Sequence, residues 1–242
     1  MRFDNKVVVV TGAARGIGKN IADLFERLGG TVARCDRKAQ ELNVDLSDPY
    51  AGRKLVEEIV KKYGRIDVLV NNARSNIRKF LWEETEEEWD FEMSVGVKAP
   101  YFLAKYAMPY MKGGAIVNIG SVTANVVSHE CAPYQISKGA CLQLTRVLAQ
   151  MGAHWNVRVN AVLPGAIVQN EHRERYGLLE NQDYRLRVEE AHLVKRPGTS
   201  DEIANAAAFL ASDLSGFTTG ASLVVDGGLT IQDLFTFHVR HK

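Results

Sequence analysis

Tyr134 and Lys138 are the two side chains whose types and spacing best fit a chemical task. Residues four apart on a helix lie on one face, so the phenol and the ammonium would lie side by side. A free tyrosine titrates near about 10, and a neighbouring ammonium favours its anion. Tyr134 is therefore predicted to act as a general acid/base. A ketone needs such a group when hydride transfer leaves charge on its oxygen.

Ser121 is the third polar residue that belongs with this pair. It lies at the end of an apolar run, 115–121, which is predicted to be a buried strand, and it precedes Tyr134 by 13 residues. Open parallel sheets bind ligands beyond the carboxyl ends of their strands. Ser121, Tyr134 and Lys138 are therefore predicted to converge on one ligand.

A glycine-rich turn near the N-terminus predicts where a nucleotide would bind. It follows the apolar run 6–11 and leads into a helical pattern from Lys19 to Leu28. Its spacing is GxxxGxG rather than GxGxxG, but the mechanics are alike. Glycines allow a tight turn, and the helix N-terminus faces the pyrophosphate. The residues predicted to contact the cofactor here are Gly12, Arg15, Gly16, Ile17 and Gly18.

Asp36 indicates which dinucleotide is preferred. It lies 18 residues beyond Gly18, close to the spacing of a carboxylate that accepts hydrogen bonds from the adenosine ribose. A 2'-phosphate there would be repelled, so the sequence favours NAD over NADP, although Arg15 and Arg37 partly offset the repulsion. For Asp45, after the third predicted strand, adenine contact and a structural role in a turn are about equally supported.

The pattern of apolar runs predicts the elements that position these residues. Short runs of Val, Ile and Leu alternate with longer helical patterns, which is typical of βαβ units in a parallel sheet covered on both faces. About seven strands are expected, at 6–11, 30–35, 41–44, 67–71, 115–121, 157–163 and 221–225. We therefore predict an α/β fold with a doubly wound parallel (Rossmann) sheet, in one domain spanning 1–242.

Composition makes a small molecule the expected partner. A net charge of +1 provides no field that would recruit nucleic acid or an anionic membrane. The cysteines, Cys35, Cys131 and Cys141, are odd in number and show neither CxxC spacing nor a nearby histidine pair, which argues against disulfides and a metal site. The N-terminus is too polar for a secretory signal, and no apolar stretch of membrane-spanning length follows. We expect a cytoplasmic protein.

Nucleophilic catalysis is the weaker interpretation of this region. Ser121 does not stand in GxSxG, because Ile119 and Thr123 occupy the glycine positions. His129 and Cys131 lie near Tyr134 in sequence, but no third group that would orient them is evident. A role in the pocket wall or a loop is favoured for both.

Together these motifs resemble the short-chain dehydrogenase/reductase family along nearly the whole chain. Thr11 to Gly18 looks like its TGxxxGIG, Asp45-Leu46 like its adenine-side aspartate pair, and Asn71-Asn72-Ala73 like most of its NNAG segment. Pro164-Gly165 and Asp226-Gly227-Gly228 are similar to its later motifs. The resemblance implies a nicotinamide-dependent oxidoreductase acting on a secondary alcohol or ketone.

The resemblance also implies roles for individual residues. Ser121 would hold the substrate oxygen, and Lys138 would also contact the nicotinamide ribose. The further cofactor contacts that it implies are Leu46, Asn72, Ala73, Tyr134, Pro164, Gly165 and Ile167. It implies a homotetramer or homodimer built on the helices after Ser94 and Tyr134.

Four positions depart from the family's usual residues. They are Arg74, Gly120, Gln169 and Gly96, which stands where the family has a catalytic asparagine linked through water to the lysine. We expect slow turnover or a rearranged proton path. We also expect Gly96→Asn to raise turnover or to shift the pH optimum. The alternative is a dinucleotide-binding protein with a regulatory or structural role and weak or no turnover.

The substrate side of the chain is less specific. Residues 166–196, with acids and bases in balance, are expected to form a helical lid, and 229–242 a tail that could cap a neighbouring subunit. Arg74, Arg78 and Lys79 follow the fourth predicted strand, where they suggest either an anionic substrate or a solvent-facing cluster. The sequence is compatible both with simple alcohol oxidation and with reductive or isomerising chemistry on a carrier-bound substrate.

Overall fold

The fold is built on a parallel sheet of seven strands in a computed structural model that describes residues 1–39, 42–75, 77, 79–129 and 131–232. Its strands are β1 Val7–Thr11, β2 Thr31–Asp36, β3 Leu42–Asn43, β4 Val68–Asn71, β5 Ala115–Ile119, β6 Arg158–Pro164 and β9 Ser222–Val225. Their order across the sheet is β3-β2-β1-β4-β5-β6-β9, and every adjacent pair is parallel. Two short strands, β7 Ile167–Val168 and β8 Gly198–Thr199, pair with each other apart from this sheet.

Eight α-helices connect and cover the strands. They are α1 Gly16–Arg27, α2 Ala51–Tyr63, α3 Glu86–Met93, α4 Ala99–Ala107, α5 Ala132–Gly152, α6 Arg173–Gly177, α7 Gln182–Ala191 and α8 Ser200–Ala211 in the described part of the chain. Gly64 ends α2 in the left-handed conformation, with φ +74°, and Thr85 and Glu88 form a complete capping box at the start of α3.

The Val7-Val8-Val9-Val10 run shows how the sequence builds both layers of the core. Successive side chains of a strand point to opposite faces. Val8 and Val10 pack with α1 and α8, whereas Val9 packs with α2, α4 and α5 on the other face. A strand covered on both faces cannot alternate apolar and polar residues, so the run is apolar throughout.

The doubly wound parallel sheet is therefore confirmed, with small differences at the ends of elements. The third strand is two residues long, and Glu41, placed in it by the sequence, lies outside the described residues. The fifth strand ends at Ile119 rather than at Ser121. Ser121 opens a 3-10 turn instead, because its Oγ accepts a hydrogen bond from the backbone N–H of Thr123.

A wider helical turn joins α3 to α4. Residues Ser94–Lys98 form a π-helical turn that contains Gly96 and continues directly into α4. Such insertions in helices are frequent at functional sites. The predicted tail 229–242 lies outside the described residues from position 233 onwards. Within the residues that the structure describes, no helix combines the length and apolar content needed to cross a bilayer.

Candidate active site

Ser121, Tyr134 and Lys138 are brought together at the carboxyl end of β5. The Lys138 ammonium, whose residue is 5% exposed, donates to the carbonyl of Ile119 at 2.8 Å, and its Nζ lies 5.4 Å from the centroid of the Tyr134 ring. Ser121 follows Ile119 by two residues, and its Oγ accepts from the Thr123 hydroxyl at 2.9 Å. A phenol, an ammonium and a hydroxyl therefore lie at one edge of the sheet.

The start of α5 fixes where Tyr134 and Lys138 lie. Pro133 stands in the first turn of the helix, where its fixed φ is suited to helix initiation. Cys131, the preceding cap residue, has a left-handed φ of +55°, and its N–H donates to the carbonyl of Lys79 at 2.8 Å. The cap residue that precedes α5 is thus hydrogen-bonded to the loop that follows β4.

Cys131 and His129 serve the loops around the site rather than a nucleophilic pair. The Cys131 thiol donates to the carbonyl of Ile77 at 3.0 Å, and burial raises the pKa of this thiol, which keeps it protonated. The carbonyl of exposed His129 accepts from the N–H of Leu81 at 3.1 Å. Both observations agree with the loop role favoured by the sequence.

The glycine turn between β1 and α1 fits a dinucleotide phosphate. Gly12 has φ +67°, and a Cβ there would lie 2.9 Å from the Cα of Ala73, while a Cβ on Gly18 would overlap the carbonyl of Gly12. Arg15 precedes the first turn of α1, and no described side chain caps this helix end. The first amide N–H groups of α1 are therefore available to an anionic group, and the backbone forms a cradle that larger residues would fill.

Asn72 and Ala73 hold this turn from the neighbouring strand. The Asn72 side chain donates to the carbonyls of Thr11 and Gly12, at 2.9 and 3.2 Å. The backbone N–H groups of Asn72 and Ala73 both donate to the Thr11 hydroxyl. These contacts give the two residues a structural role in shaping the cradle.

Asp36 lies beside the same turn at the end of β2. Its Oδ2 accepts from the N–H of Ala14 at 3.2 Å and its Oδ1 from the N–H of Lys38 at 2.9 Å. Arg37 points elsewhere, with its guanidinium 3.8 Å from the Asp45 carboxylate and 5.6 Å from the ring centroid of Phe91. A negative charge therefore stands near the turn, while the adjacent arginine contacts a different carboxylate.

Asp45 and Leu46 have clear structural contacts. The Asp45 carboxylate accepts from the N–H and the hydroxyl of Ser47, at 2.9 and 2.7 Å, as expected of a turn aspartate. Burial opposes its ionisation, but the hydrogen bonds from Ser47 and the charge of Arg37 lower the pKa of Asp45. The Leu46 side chain is buried in the core, so a cofactor contact from this residue would have to come from its backbone.

The Pro164-Gly165 motif lies at the end of β6. Pro164 is the last residue of β6, and the N–H of Gly165 donates to the carbonyl of Val225 at 3.0 Å. A Cβ on Gly165 would lie 2.8 Å from Asp226. Ile167 is half-buried in β7 and packs against the core layer formed by α1 and α8.

Two of the four departures are explained by packing. A Cβ on Gly120 would overlap a methyl group of Leu163, so glycine lets the residue after β5 pack closely against β6. A Cβ on Gly16 would lie 2.6 Å from Oε1 of Gln169, which places the Gln169 carboxamide over the glycine turn. Gln169 therefore lies at the glycine turn between β1 and α1.

Lys79, one residue of the positive cluster after β4, is paired with a carboxylate. Lys79 forms an ion pair with Glu88 at 2.8 Å and donates to the carbonyl of Glu83. Arg74 is exposed and lies 3.4 Å from the carbonyl of Ser75, while Arg78 lies outside the described residues. These contacts favour the solvent-facing cluster over an anion-binding site.

Glu92 is a residue of this region that sequence reasoning missed. It belongs to the acidic helix α3, where a glutamate would ordinarily be solvated, but Glu92 is 1% exposed. Its position one turn before Gly96 places both residues on one helix face. The carboxylate fills the space beside Gly96, so the asparagine of Gly96→Asn would displace Glu92. The expected gain in turnover from this substitution stays a prediction.

Known proteins resemble the chain along nearly its full length. A family model described as "Enoyl-(Acyl carrier protein) reductase" matches residues 12–230. The meso-2,3-butanediol dehydrogenase of Serratia marcescens is 34% identical over 253 residues, covering 96% of this chain and 98% of the relative. The NAD-dependent glycerol dehydrogenase of Listeria innocua is 33% identical, covering 94% and 95%. A blue fluorescent protein from a metagenomic library, solved with NADPH, has 30% identity and a TM-score of 0.84, covering 95% of this chain and 99% of that one.

Proposed function

Because the chain belongs to the short-chain dehydrogenase/reductase family, we propose that it transfers a hydride between NAD(H) and a secondary alcohol or ketone. The observation that carries the proposal is the meeting of Lys138, Tyr134 and Ser121 at the end of β5, on the sheet that also carries the glycine cradle after β1. A nucleotide cradle and a positioned phenol on one sheet edge support redox chemistry on a carbon–oxygen bond.

The proton chemistry belongs to the chain's own side chains. The Ser121 hydroxyl donates a hydrogen bond to the substrate oxygen. Tyr134 gives its hydroxyl proton to that oxygen when a ketone is reduced, and takes the proton from the alcohol in the reverse direction. The Lys138 ammonium, 5.4 Å from the ring, offsets the charge that the phenolate carries after the transfer. The nicotinamide supplies or accepts the hydride when it is bound.

Several residues would hold the cofactor. The cradle residues Gly12, Gly16 and Gly18 would face the pyrophosphate, and Asp36 would accept hydrogen bonds from the adenosine ribose. The further proposed contacts are Arg15, Ile17, Asp45, the Leu46 backbone, Asn72, Ala73, Tyr134, Lys138, Pro164, Gly165 and Ile167. NAD is the proposed cofactor because Arg37 contacts Asp45 and so does not neutralise Asp36.

Relatives that act on butanediol and glycerol favour a small alcohol as the substrate. Residues 166–196 would cover it as a lid, since β7, α6 and α7 follow β6 directly at the site. We further propose a homodimer or homotetramer through α4 and α5. A cytoplasmic location agrees with the three cysteines, all of which are buried and free.

The proposal is tested by following NADH absorbance with the purified protein and a panel of diols, polyols, simple ketones and carboxylated alcohols, with NADPH in parallel. NAD(H)-dependent turnover of the neutral substrates is expected. Binding of NADH without turnover on any of them would favour a regulatory dinucleotide-binding protein, a reading supported by the absence of a side chain at Gly96. Absence of binding would contradict both.

A further inference from the structure

Glu92 is a buried carboxylate directly beside the helix that carries Tyr134 and Lys138. The residue is 1% exposed, and burying a carboxylate is costly unless hydrogen bonds compensate. Two hydroxyls supply them: Ser137 donates to Oε1 at 2.7 Å, and Ser75 donates to Oε2. The first comes from α5 and the second from the loop after β4, so one carboxylate joins two walls of the site.

The space that Glu92 occupies exists because position 96 is glycine. A Cβ on Gly96 would lie 2.8 Å from Glu92 Oε1 and 3.0 Å from both Cβ and Oγ of Ser137. Real Cβ atoms essentially never lie as close to another heavy atom as this Cβ would lie to Glu92 Oε1. A side chain at 96 would therefore displace the Glu92 carboxylate from its present position. The chain thus has a polar group from one turn earlier where the related pattern has an amide.

Ser137 connects this carboxylate to the catalytic turn. It lies between Tyr134 and Lys138 in the same turn of α5, and its hydroxyl is 2.8 Å from the carbonyl of Tyr134. One hydroxyl hydrogen serves one strong acceptor at a time. Glu92 and the Tyr134 carbonyl are both acceptors, so the carboxylate determines how Ser137 is oriented in that turn.

We propose that Glu92 is a positioning residue for the reaction: through Ser137 and Ser75 it holds the 134–138 turn of α5 against the loop after β4, in place of an amide at position 96. The proposal rests on the proposed function. Positioning errors of about 1 Å can lower turnover about a hundredfold, so even a modest loosening of this turn has a measurable effect.

The first experiment compares Glu92→Leu with Glu92→Gln. Leucine fills the volume but accepts no hydrogen bond, so we expect kcat to fall about tenfold or more, with KM for NAD(H) and the melting temperature close to wild type. Glutamine keeps a carbonyl acceptor and is expected to recover most of the lost kcat. Full kcat in Glu92→Leu, or equal losses in both variants, would overturn the positioning role.

The second experiment needs no turnover. In the protein without cofactor, Gly96→Ala is expected to lower the melting temperature in the wild-type background. In a Glu92→Ala background it should lower it less, because the closest contact, to Glu92, is removed while the contacts with Ser137 remain. Gly139→Ala is the matched control: it is also helical, and a Cβ there would meet nothing within 4 Å among the described residues. The control should raise the melting temperature, as alanine usually does in helices.

The two experiments separate failure of the inference from failure of the function. If Gly96→Ala changes the melting temperature equally in both backgrounds, Glu92 does not occupy the space that a side chain at position 96 would need, whatever the protein catalyses. No turnover by the wild type on any substrate would refute the proposed function and with it the positioning role. The melting temperatures of the Gly96→Ala variants in the two backgrounds would still decide whether Glu92 and a side chain at position 96 compete for one space.

Discussion

Asp36→Asn is expected to shift the cofactor preference from NADH towards NADPH. The substitution removes the negative charge at the end of β2 while keeping one carbonyl oxygen to accept from the N–H of Ala14 or Lys38, which the carboxylate binds at 3.2 and 2.9 Å. The loop geometry should therefore persist, and the effect should come from charge.

The size of the shift follows from two contributions. A carboxylate and a phosphate about 4 Å apart repel by about 4 kcal/mol at an effective dielectric of about 20. Asp36 is half-exposed, so screening reduces this to about 1–2 kcal/mol, which strengthens NADPH binding about 5- to 30-fold. For NADH, replacing a charged acceptor by a neutral one at the ribose costs about 1 kcal/mol, or about fivefold. The ratio of the two dissociation constants should change by about one to two orders of magnitude.

The assay is a titration of each variant with NADH and NADPH, read by quenching of protein fluorescence, with kcat/KM for both cofactors beside it. Asp48→Asn is the control, because it removes the same charge from a nearby carboxylate that pairs with Lys54 and leaves the pair between Arg37 and Asp45 intact. An unchanged ratio in Asp36→Asn, or an equal shift in the control, would show that Asp36 does not face the 2' position.

Three further predictions concern other parts of the site and the fold. Tyr134→Phe should abolish hydride transfer while leaving NADH affinity nearly unchanged, and parallel loss of both would contradict its role as the proton donor. Gln169→Ala should alter NADH affinity but leave the pH profile of kcat unchanged, since its carboxamide lies over Gly16. A shifted pH profile would indicate that Gln169 takes part in the proton transfer. Hydrogen bonding from Arg196 lowers the pKa of Glu202 to about 2 from 4.5, so its ionised form stabilises the fold above about pH 4.5, and this contribution is lost as the pH falls towards 2. Because the pair is partly exposed, Glu202→Gln should cost about 1 kcal/mol of unfolding free energy at neutral pH. The difference in melting temperature should disappear near pH 2, and a constant difference would contradict the ion-pair origin.

Much of the fold could be predicted because the relevant information is local. Buried parallel strands need continuous apolar runs, and Val7-Val8-Val9-Val10 lies where β1 forms. The Thr85 capping box and the left-handed Gly64 are also determined by neighbours in sequence. Tyr134 and Lys138 lie together because a helix brings residues four apart onto one face.

The sequence was less informative wherever two distant segments compete for the same group or space. Lys79 was grouped with a basic cluster, but its ammonium pairs with Glu88, which folding brings alongside it. Gln169 stood out as an unusual residue of the later motif, and only the packing of β7 against α1 places its carboxamide over Gly16.

The sequence alone is thus sufficient for the sheet, the glycine turn and the placement of Tyr134 beside Lys138, since short-range geometry and hydrophobic periodicity specify each of them. The environment of Gly96 required the tertiary structure. A glutamate in an acidic helix is ordinarily solvated, and only the approach of α5 and the loop after β4 buries Glu92 between Ser137 and Ser75. Burial and hydrogen-bond partners depend on contacts between segments far apart in the chain, and no local pattern encodes which side chain will fill the space that a glycine leaves.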